Sequence, residues 1–438
     1  MNDTFYHNLP NGVQIVHRKT TSPVVYVGIM VGAGTRHEQP NENGMAHYIE
    51  HCVFKGTEHY TARQIINHIE GIGGEINAYT TKEETTFYAA TLSNHFRTTL
   101  HLLADMVLHP TFSKKETDKE VTVILDEIES YNDSPSELIY DDFENMIFEG
   151  SSLAMPILGT KKTLRRISKS PDIALSWMQQ HYRPERMVLF VLGNVSTQQV
   201  IAAAERELLS YSPSPIANRQ SPIANSEASH SQSPIPHSEA SNSPQGVQYP
   251  IAAPAASNTR LYKRHTHQTH IMLGSYAYPI GHPKQLTMYL LNNILGGGSM
   301  SSRLYLSLRE KHGLVYNIDS QAVPLSDTGY WNIYLACEPQ HKNACLELCH
   351  KELQQLRDTA LTSAQLQRAL RQLEGQMAIS AENQENNALA MAKQMLYHHH
   401  APAWRETFAK VREITSPQLQ EVANEVFAPE KIYTLLYD

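Results

Sequence analysis

The sequence predicts an α+β fold made of two similar α/β domains, each a mostly antiparallel sheet packed with helices. Three observations support this prediction. The chain has 438 residues, more than one hydrophobic core usually serves, and 41% of them are hydrophobic, which is enough for two cores. Strand-like alternation and helical periodicity occur in both halves, in a loosely repeated order. Between the halves lies a segment of clearly different composition.

The first predicted domain covers residues 1–209. Alternating or uninterrupted apolar residues indicate its strands, and apolar residues three and four positions apart indicate its helices. The predicted elements begin with strands at 12–17 and 24–31, a helix that starts at about 44 and a second helix at 61–72. A strand pair within 75–92 and helices at 98–108 and 114–131 follow.

The second predicted domain covers residues 258–438 and repeats this order approximately. Its predicted elements are a strand at 268–278, helices at 284–295 and 302–311, strands up to about 336, and long helices at 340–359 and 363–397. Because strand, helix, strand pair and long helices recur in this order, we expect the two domains to be homologous.

Residues 210–257 form the predicted connection between the domains. This segment is rich in serine, proline, alanine and asparagine, and the unit S-P-I-[AP] begins at Ser214, Ser221 and Ser233. Such a composition buries too little apolar area to offset the entropy lost on ordering, so we expect a long flexible linker. A binding site for a partner protein is the alternative.

Composition and charge argue against several classes of function. The formal net charge of −8 gives no support for a nucleic-acid partner, which normally requires a basic patch. No stretch approaches the roughly eighteen uninterrupted apolar residues of a membrane span, and the amino-terminal residues lack the apolar core of a signal peptide. We therefore expect a cytoplasmic protein with no membrane partner, although export by another route stays open. The four cysteines are too few for a disulfide scaffold, so we expect reduced thiols.

The segment at 44–55, GMAHYIEHCVFK, contains the first group of candidate site residues. On a helix, His47 and His51 lie one turn apart and project to the same side, so both imidazoles can bind one zinc ion. Glu50 flanks that side, where its carboxylate can reach a water on the metal. The opposite face is apolar and consists of Met45, Ile49 and Cys52. The alternative is a pair of surface histidines near a helix start.

A catalytic zinc ion needs a third protein ligand and an open position for water. The predicted helix at 114–131 offers several carboxylates. Glu120 and Glu127 are seven residues apart, which is two turns, and share a face with Ile124 and Ile128. Because an unpaired buried charge is costly, two carboxylates on an otherwise apolar face suggest a metal.

These two segments, HYIEH at 47–51 and EVTVILDE at 120–127, resemble the pitrilysin/insulinase family of zinc metallopeptidases, which includes the mitochondrial processing peptidases. In that family, two acidic residues seven apart follow the H-x-x-E-H motif by about 76 residues, and Glu127 lies 76 residues after His51. The resemblance implies that His47, His51 and Glu127 bind one Zn²⁺ per chain. It also implies that Glu120 orients a histidine ligand.

The same resemblance extends to two candidate substrate sites. Asn77 and Ala78, within the strand pair, resemble the family's exposed edge strand, to which a peptide substrate adds as an extra strand. An ordinary hairpin is the alternative. Arg309 and Tyr316 resemble the family's Arg/Tyr element, which stabilises the oxyanion of the scissile peptide. The alternative, without the resemblance, is that Arg309 is a solvated charge on a helix and Tyr316 is a half-buried strand residue.

The function implied is that of a zinc-dependent endopeptidase cutting peptides or small unfolded polypeptides within a dimeric chamber. Glu50 would activate a zinc-bound water as the general base. A homodimer is the simplest assembly, and a heterodimer stays open. Two alternatives remain, namely a non-catalytic scaffold subunit of the same fold and a dedicated maturation peptidase for one precursor peptide.

Overall fold

The structure is a computed structural model that describes residues 4–169, 171–211, 258–264 and 266–438. It contains two β-sheets, one in each half of the chain. Most of the predicted linker falls at 212–257 and lies outside the described residues. The linker and the domain limits next to it therefore stay predictions.

The first half forms a six-stranded sheet in the order β1-β2-β6-β3-β5-β4. Its strands are β1 (Thr4–Asn8), β2 (Gln14–Lys19), β3 (Val24–Val31), β4 (Glu75–Thr80), β5 (Thr85–Leu92) and β6 (Met187–Gly193). Strands β2 and β6 are parallel, and the other neighbours are antiparallel. The helices of this half are α1 (Met45–Val53), α2 (Ala62–Glu70), α3 (Phe96–Leu108), α4 (Lys114–Asn132), α5 (Pro135–Ile147), α6 (Lys161–Ile167), α7 (Pro171–His181) and α8 (Thr197–Leu208).

The second half forms a five-stranded sheet in the order β7-β11-β8-β10-β9. Its strands are β7 (Thr259–Tyr262), β8 (Thr269–Tyr276), β9 (Val315–Pro324), β10 (Gly329–Cys337) and β11 (Tyr433–Tyr437). Its helices are α9 (Gln285–Leu295), α10 (Lys342–Asp358), α11 (Ser363–Ser380), α12 (Gln384–His398), α13 (Trp404–Arg412) and α14 (Ser416–Val426). Apart from the additional β1, both sheets have the same strand order, and each has one parallel pair. The predicted fold class is confirmed.

The two halves exchange one helix each. Helix α5 of the first half packs on the second sheet, where Phe143 is fully buried against Met272 and Leu435. Helix α12 of the second half packs on the first sheet, where Met391 contacts a cluster that includes Phe190. Fully burying a Phe or Met side chain stabilises by about 1.5–3 kcal/mol. Each sheet is therefore covered on one face by an apolar helix from the other half.

Two predicted helices differ from the observed ones. The pattern at 363–397 predicted one helix, but this prediction is wrong because the helix ends at Ser380 and a new one begins at Gln384. The break has a local cause, since the Asn383 side-chain oxygen accepts a hydrogen bond from the Asn386 N–H at 3.0 Å and caps the second helix. The helix predicted at 302–311 is a π-helix over Tyr305–Lys311.

Two further features concern the cysteines and the apolar character of the helices. Cys52, Cys337, Cys345 and Cys349 are all free and buried. Within the described stretches of the chain, none of the helices combines the length and the apolar character that crossing a bilayer requires.

Candidate metal centre

Helix α1 holds the first group of site residues. It begins after Gly44, whose φ of 91° lies in the left-handed region that favours glycine. Its apolar face, which includes Met45 and Ile49, is fully buried against the first core. Because that face is anchored, the opposite face keeps its histidines in a defined orientation.

Glu38 holds the start of α1 in place and was missed by the sequence analysis. Its carboxylate is buried, and it accepts hydrogen bonds from the Gly44 and Ala46 N–H groups, each at 2.8 Å. These are groups at a helix start that have no partner within the helix. Burial raises the pKa of Glu38 to about 7. No local signal predicts this contact, because Glu38 acts from a separate turn six residues before Gly44.

Helix α4 contributes the two glutamates. Its buried face consists of Thr117, Glu120, Val121, Ile124 and Ile128, and it packs against α1. Glu120 is buried within that face, whereas Glu127, one residue before Ile128, has a side chain that is 43% exposed. The two carboxylates therefore face the histidines at different depths, Glu120 inside and Glu127 at the open side.

The structure brings His47, His51 and Glu127 together. One ligand atom from each lies within 4.8 Å of the others, and no other such group of three occurs among the described residues. Glu127 Oε2 lies 3.8 Å from His47 Nε2 and 3.5 Å from His51 Nε2. Zinc bonds of about 2.0–2.2 Å at tetrahedral angles place ligand atoms about 3.4 Å apart. Two imidazole nitrogens and one carboxylate at these separations fit a zinc ion.

The electrostatic environment favours the metal-binding forms of His47 and Glu127. Burial, assisted by the neighbouring His51, lowers the pKa of His47 to about 4, so its ring is neutral near pH 7. Burial also acts to lower the pKa of His51, but Glu127 and Glu120 outweigh it and raise that pKa. The hydrogen bond from His51 lowers the pKa of Glu127. A neutral imidazole and an ionised carboxylate are the forms that bind zinc.

Glu120 holds the second histidine. Its Oε1 lies 2.9 Å from His51 Nδ1, and its Oε2 lies 2.8 Å from Lys55 Nζ. The carboxylate therefore fixes the ring so that Nε2 points toward Glu127, as carboxylates behind metal-binding histidines commonly do. Lys55, which sequence analysis did not single out, neutralises the buried charge of Glu120.

Glu50 lies next to this group and is itself anchored. Its Oε2 accepts a hydrogen bond from Thr80 Oγ1 at 2.6 Å, which joins α1 to the end of β4. Burial raises the pKa of Glu50, and the hydrogen bond from Thr80 counteracts part of that increase. The arrangement places a proton acceptor beside the three candidate metal ligands.

The strand that carries Asn77 and Ala78 is at a sheet edge. Strand β4 pairs with β5 on one side, and its other side has no strand partner among the described residues. Asn77 is exposed, and Ala78 is half-buried. The outer edge of the β4 backbone is therefore available for pairing with another extended chain.

Arg309 and Tyr316 lie together but apart from the metal ligands. The Arg309 guanidinium stacks between the rings of Tyr305, at 4.8 Å, and Tyr316, at 5.2 Å. Tyr316 is 75% exposed. In the described part of the chain, no hydrogen bond, ion pair or ring contact connects this pair to His47, His51 or Glu127. Arg309 lies in the π-helix, a distortion often found at functional sites.

Comparison with known proteins identifies both halves. Residues 14–161 match the family model described as insulinase (peptidase family M16). Residues 170–373 match the model described as the peptidase M16 inactive domain. The H-x-x-E-H motif lies within the first match and does not recur after residue 170.

Similar proteins cover nearly the full length of the chain. It is 31% identical to the uncharacterized zinc protease YmxG of Bacillus subtilis, over 97% of this chain and 96% of that protein. It is 30% identical to an uncharacterized zinc protease of Streptomyces coelicolor, over 95% of this chain and 86% of that protein. The crystal structure of a protease from Helicobacter pylori has the same fold, with a TM-score of 0.86 and 19% identity over 100% of both chains.

Proposed function

This chain belongs to the insulinase family of peptidases, family M16, and from that premise we propose that it is a zinc-dependent endopeptidase cutting peptides or small unfolded polypeptides. The observation that carries the proposal is the convergence of His47, His51 and Glu127 beside the carboxylate of Glu50. This arrangement unites a three-ligand metal site with a proton acceptor, as hydrolysis of a peptide bond requires.

The proposed roles follow from the chemistry of each group. His47 and His51 present ring nitrogens and Glu127 a carboxylate oxygen, and together they would hold one Zn²⁺ per chain. Zinc, when bound, lowers the pKa of a water molecule and polarises the scissile carbonyl. Glu50 accepts the proton of the attacking water and passes it to the leaving amine.

The substrate is proposed to bind along β4 as an additional strand. Support comes from the unpaired outer side of β4 and from the exposure of Asn77. Hydrogen bonds to the backbone give affinity without requiring particular side chains. The same strand ends at Thr80, which contacts Glu50, so a bound peptide would lie close to the base.

A homodimeric chamber would bring Arg309 and Tyr316 to the substrate. Within one chain Arg309 stacks on Tyr305 and Tyr316, and among the described residues no hydrogen bond, ion pair or ring contact joins this pair to the metal ligands. A second copy is therefore proposed to supply its own Arg309 and Tyr316 across the chamber, where they would stabilise the oxyanion. A heterodimer with a different subunit is the alternative assembly.

The cytoplasm is the proposed location. The four cysteines are free and buried, which suits a compartment that keeps thiols reduced.

A scaffold without activity is the alternative from another class of function. It is not favoured, because Glu50, Glu120 and the three candidate metal ligands are all present, with the three ligands grouped together, Glu120 bonded to His51 and Glu50 held by Thr80. Dedicated maturation of one precursor peptide differs from the proposal only in substrate range.

Metal removal is the primary test. The purified protein is expected to contain about one zinc per chain and to cleave quenched fluorescent peptides. A chelator is expected to abolish cleavage, and added zinc to restore it. Zinc content is measured by atomic emission and cleavage by fluorescence. Cleavage that survives complete removal of zinc would refute the metallopeptidase.

Mixing two inactive variants tests the shared chamber. Glu50→Gln lacks the base and Arg309→Ala lacks the oxyanion contact. If each site combines zinc from one chain with Arg309 from the other, a mixed dimer has one intact site. After subunit exchange half the dimers are mixed, so activity should recover to about one quarter of wild type.

The control is a mixture of Glu50→Gln with Glu127→Gln, in which both zinc-binding halves are defective and no recovery is expected. No recovery in either mixture, despite proven exchange, would mean that Arg309 does not act in trans.

A further inference from the structure

The hydrogen bond between Thr80 and Glu50 involves only one of the two carboxylate oxygens of Glu50. The Thr80 hydroxyl donates to Glu50 Oε2 at 2.6 Å. In the described residues, no other group hydrogen-bonds the Glu50 carboxylate, so Oε1 has no protein partner. One oxygen is therefore held, and the other is available to accept a proton.

Both the side-chain direction and the strand pairing of Thr80 are set by the fold. Along β4, Ala78 and Thr80 point to the face on which α1 packs, while Tyr79 points to the face covered by α12. Thr80 also closes the last paired position of the hairpin, opposite Thr85. Pairing within the sheet therefore fixes the backbone of Thr80, and α1 carries Glu50, which accepts the hydrogen bond from the Thr80 hydroxyl.

The turn that follows Thr80 is unusually buried for a hairpin. Lys82, Glu83 and Glu84 are only 6%, 4% and 1% exposed. Such charges are costly to bury unless they are paired. Glu84 accepts from Lys393 Nζ at 2.8 Å and Tyr397 OH at 2.6 Å, both on α12.

The other two charges of the turn have partners as well. Lys82 Nζ lies 2.9 Å from Glu144 Oε2 on α5, and Glu83 accepts from the Ser326 N–H at 2.9 Å. Arg36 pairs with both Glu83 and Asp327. The two exchanged helices and the β9–β10 turn therefore hold the hairpin at its closed end.

The backbone at Gly34 lies very close to the backbone of this hairpin turn. A Cβ on Gly34 would lie 2.4 Å from the Thr81 carbonyl oxygen, so only glycine fits there. The next residues of that segment donate to the turn, Thr35 N to Thr81 O at 3.3 Å and Arg36 N to Lys82 O at 2.8 Å. Rotation of the hairpin end, and with it of Thr80, is restricted by these contacts.

We propose that Thr80 is a positioning residue that orients the Glu50 carboxylate for proton transfer. The inference rests on the proposed function, in which Glu50 is the base. A glutamate side chain has three rotatable bonds, so burial alone does not define where its oxygens point. Misplacing a reacting group by about 1 Å can reduce the rate on the order of 10²-fold.

The test compares Thr80→Val with Thr80→Ser. Valine has nearly the shape of threonine and suits a strand but lacks the hydroxyl, whereas serine keeps it. For Thr80→Val, kcat is expected to fall on the order of 10–100-fold while KM changes less than about threefold. Thr80→Ser is expected to keep kcat within about threefold of wild type. Zinc content and Tm are measured for both variants.

A crystal structure of each variant without metal provides a readout that needs no activity. In Thr80→Ser the Glu50 carboxylate should keep one conformer bonded to residue 80, and in Thr80→Val it should move or occupy several. If wild type cleaves nothing, the proposed function fails, while this comparison still decides the role of Thr80.

Three results would overturn the inference. The first is an unchanged Glu50 conformer in Thr80→Val. The second is an increase in KM with kcat preserved, which would make Thr80 a substrate contact of β4. The third is equal loss in both variants together with loss of zinc or a lower Tm, which would indicate a structural role.

Discussion

Replacing Glu50 with glutamine is expected to lower kcat by about 10²–10⁴-fold while zinc stays bound. Glutamine has the same shape but cannot accept a proton at pH 7. Its amide oxygen can still accept the hydrogen bond from Thr80, so the neighbouring structure should be preserved. Because Glu50 is not among the candidate ligands, the metal site itself loses no donor.

The measurement is steady-state cleavage of a fluorescent peptide, with zinc determined in the same preparation. Glu129→Gln is a matched control, since Glu129 is 61% exposed on α4 and pairs with Lys161 at the surface. The control should behave as wild type. A zinc-loaded Glu50→Gln protein with kcat within about tenfold of wild type would show that another group is the base.

Replacing Glu127 with glutamine is expected to weaken zinc binding on the order of 10²–10³-fold and to abolish cleavage at limiting zinc. Apparent binding energies of about 10–16 kcal/mol over four ligands imply about 2.5–4 kcal/mol per ligand. Glutamine also removes the negative charge that lies within 3.8 Å of both histidine Nε2 atoms. The zinc affinity is measured by competition with a chromophoric chelator.

Glutamine substitutions at Glu120 and Glu129, which also lie on α4, distinguish a direct metal ligand from a residue that acts through a ligand and from a surface residue. Glu120→Gln should weaken zinc binding only about 10–100-fold, since Glu120 acts through His51. Glu129→Gln should leave the affinity unchanged. If Glu120→Gln lost more zinc than Glu127→Gln, the roles assigned to these two glutamates would be reversed.

Glu38 illustrates a limit of sequence reasoning at this site. The amphipathic pattern of α1 predicted which residues face the core, because side-chain direction repeats every 3.6 residues along a helix. The carboxylate that caps α1 comes from a turn outside the helix. Its contribution depends on how that turn packs, and no spacing rule within α1 encodes it.

Arg309 illustrates another limit. The sequence predicted a helix and a nearby tyrosine, and the structure places the two side chains in contact. The π-helix that carries Arg309, and its separation from the metal ligands, depend on packing in the second half. Whether a second copy completes the site is likewise a property of assembly, which the mixed-variant experiment tests.

The sequence by itself was sufficient to predict the α+β class and the main helices and strands within 12–131 and 268–397, but it predicted no element within 132–209 or after 397. Helical spacing predicted that His47 and His51 lie on one side of a helix and that Glu120 and Glu127 share a face of another. That Glu127 meets the two histidines was implied by the resemblance to the pitrilysin/insulinase family. Only the tertiary structure decided the exchange of α5 and α12, the break at 381–383 and the buried hairpin turn. The physical reason is the range of the interactions involved. Periodicity and capping act over a few neighbouring residues, whereas the contact of Glu50 with Thr80 spans 30 positions and that of Glu84 with Lys393 spans 309.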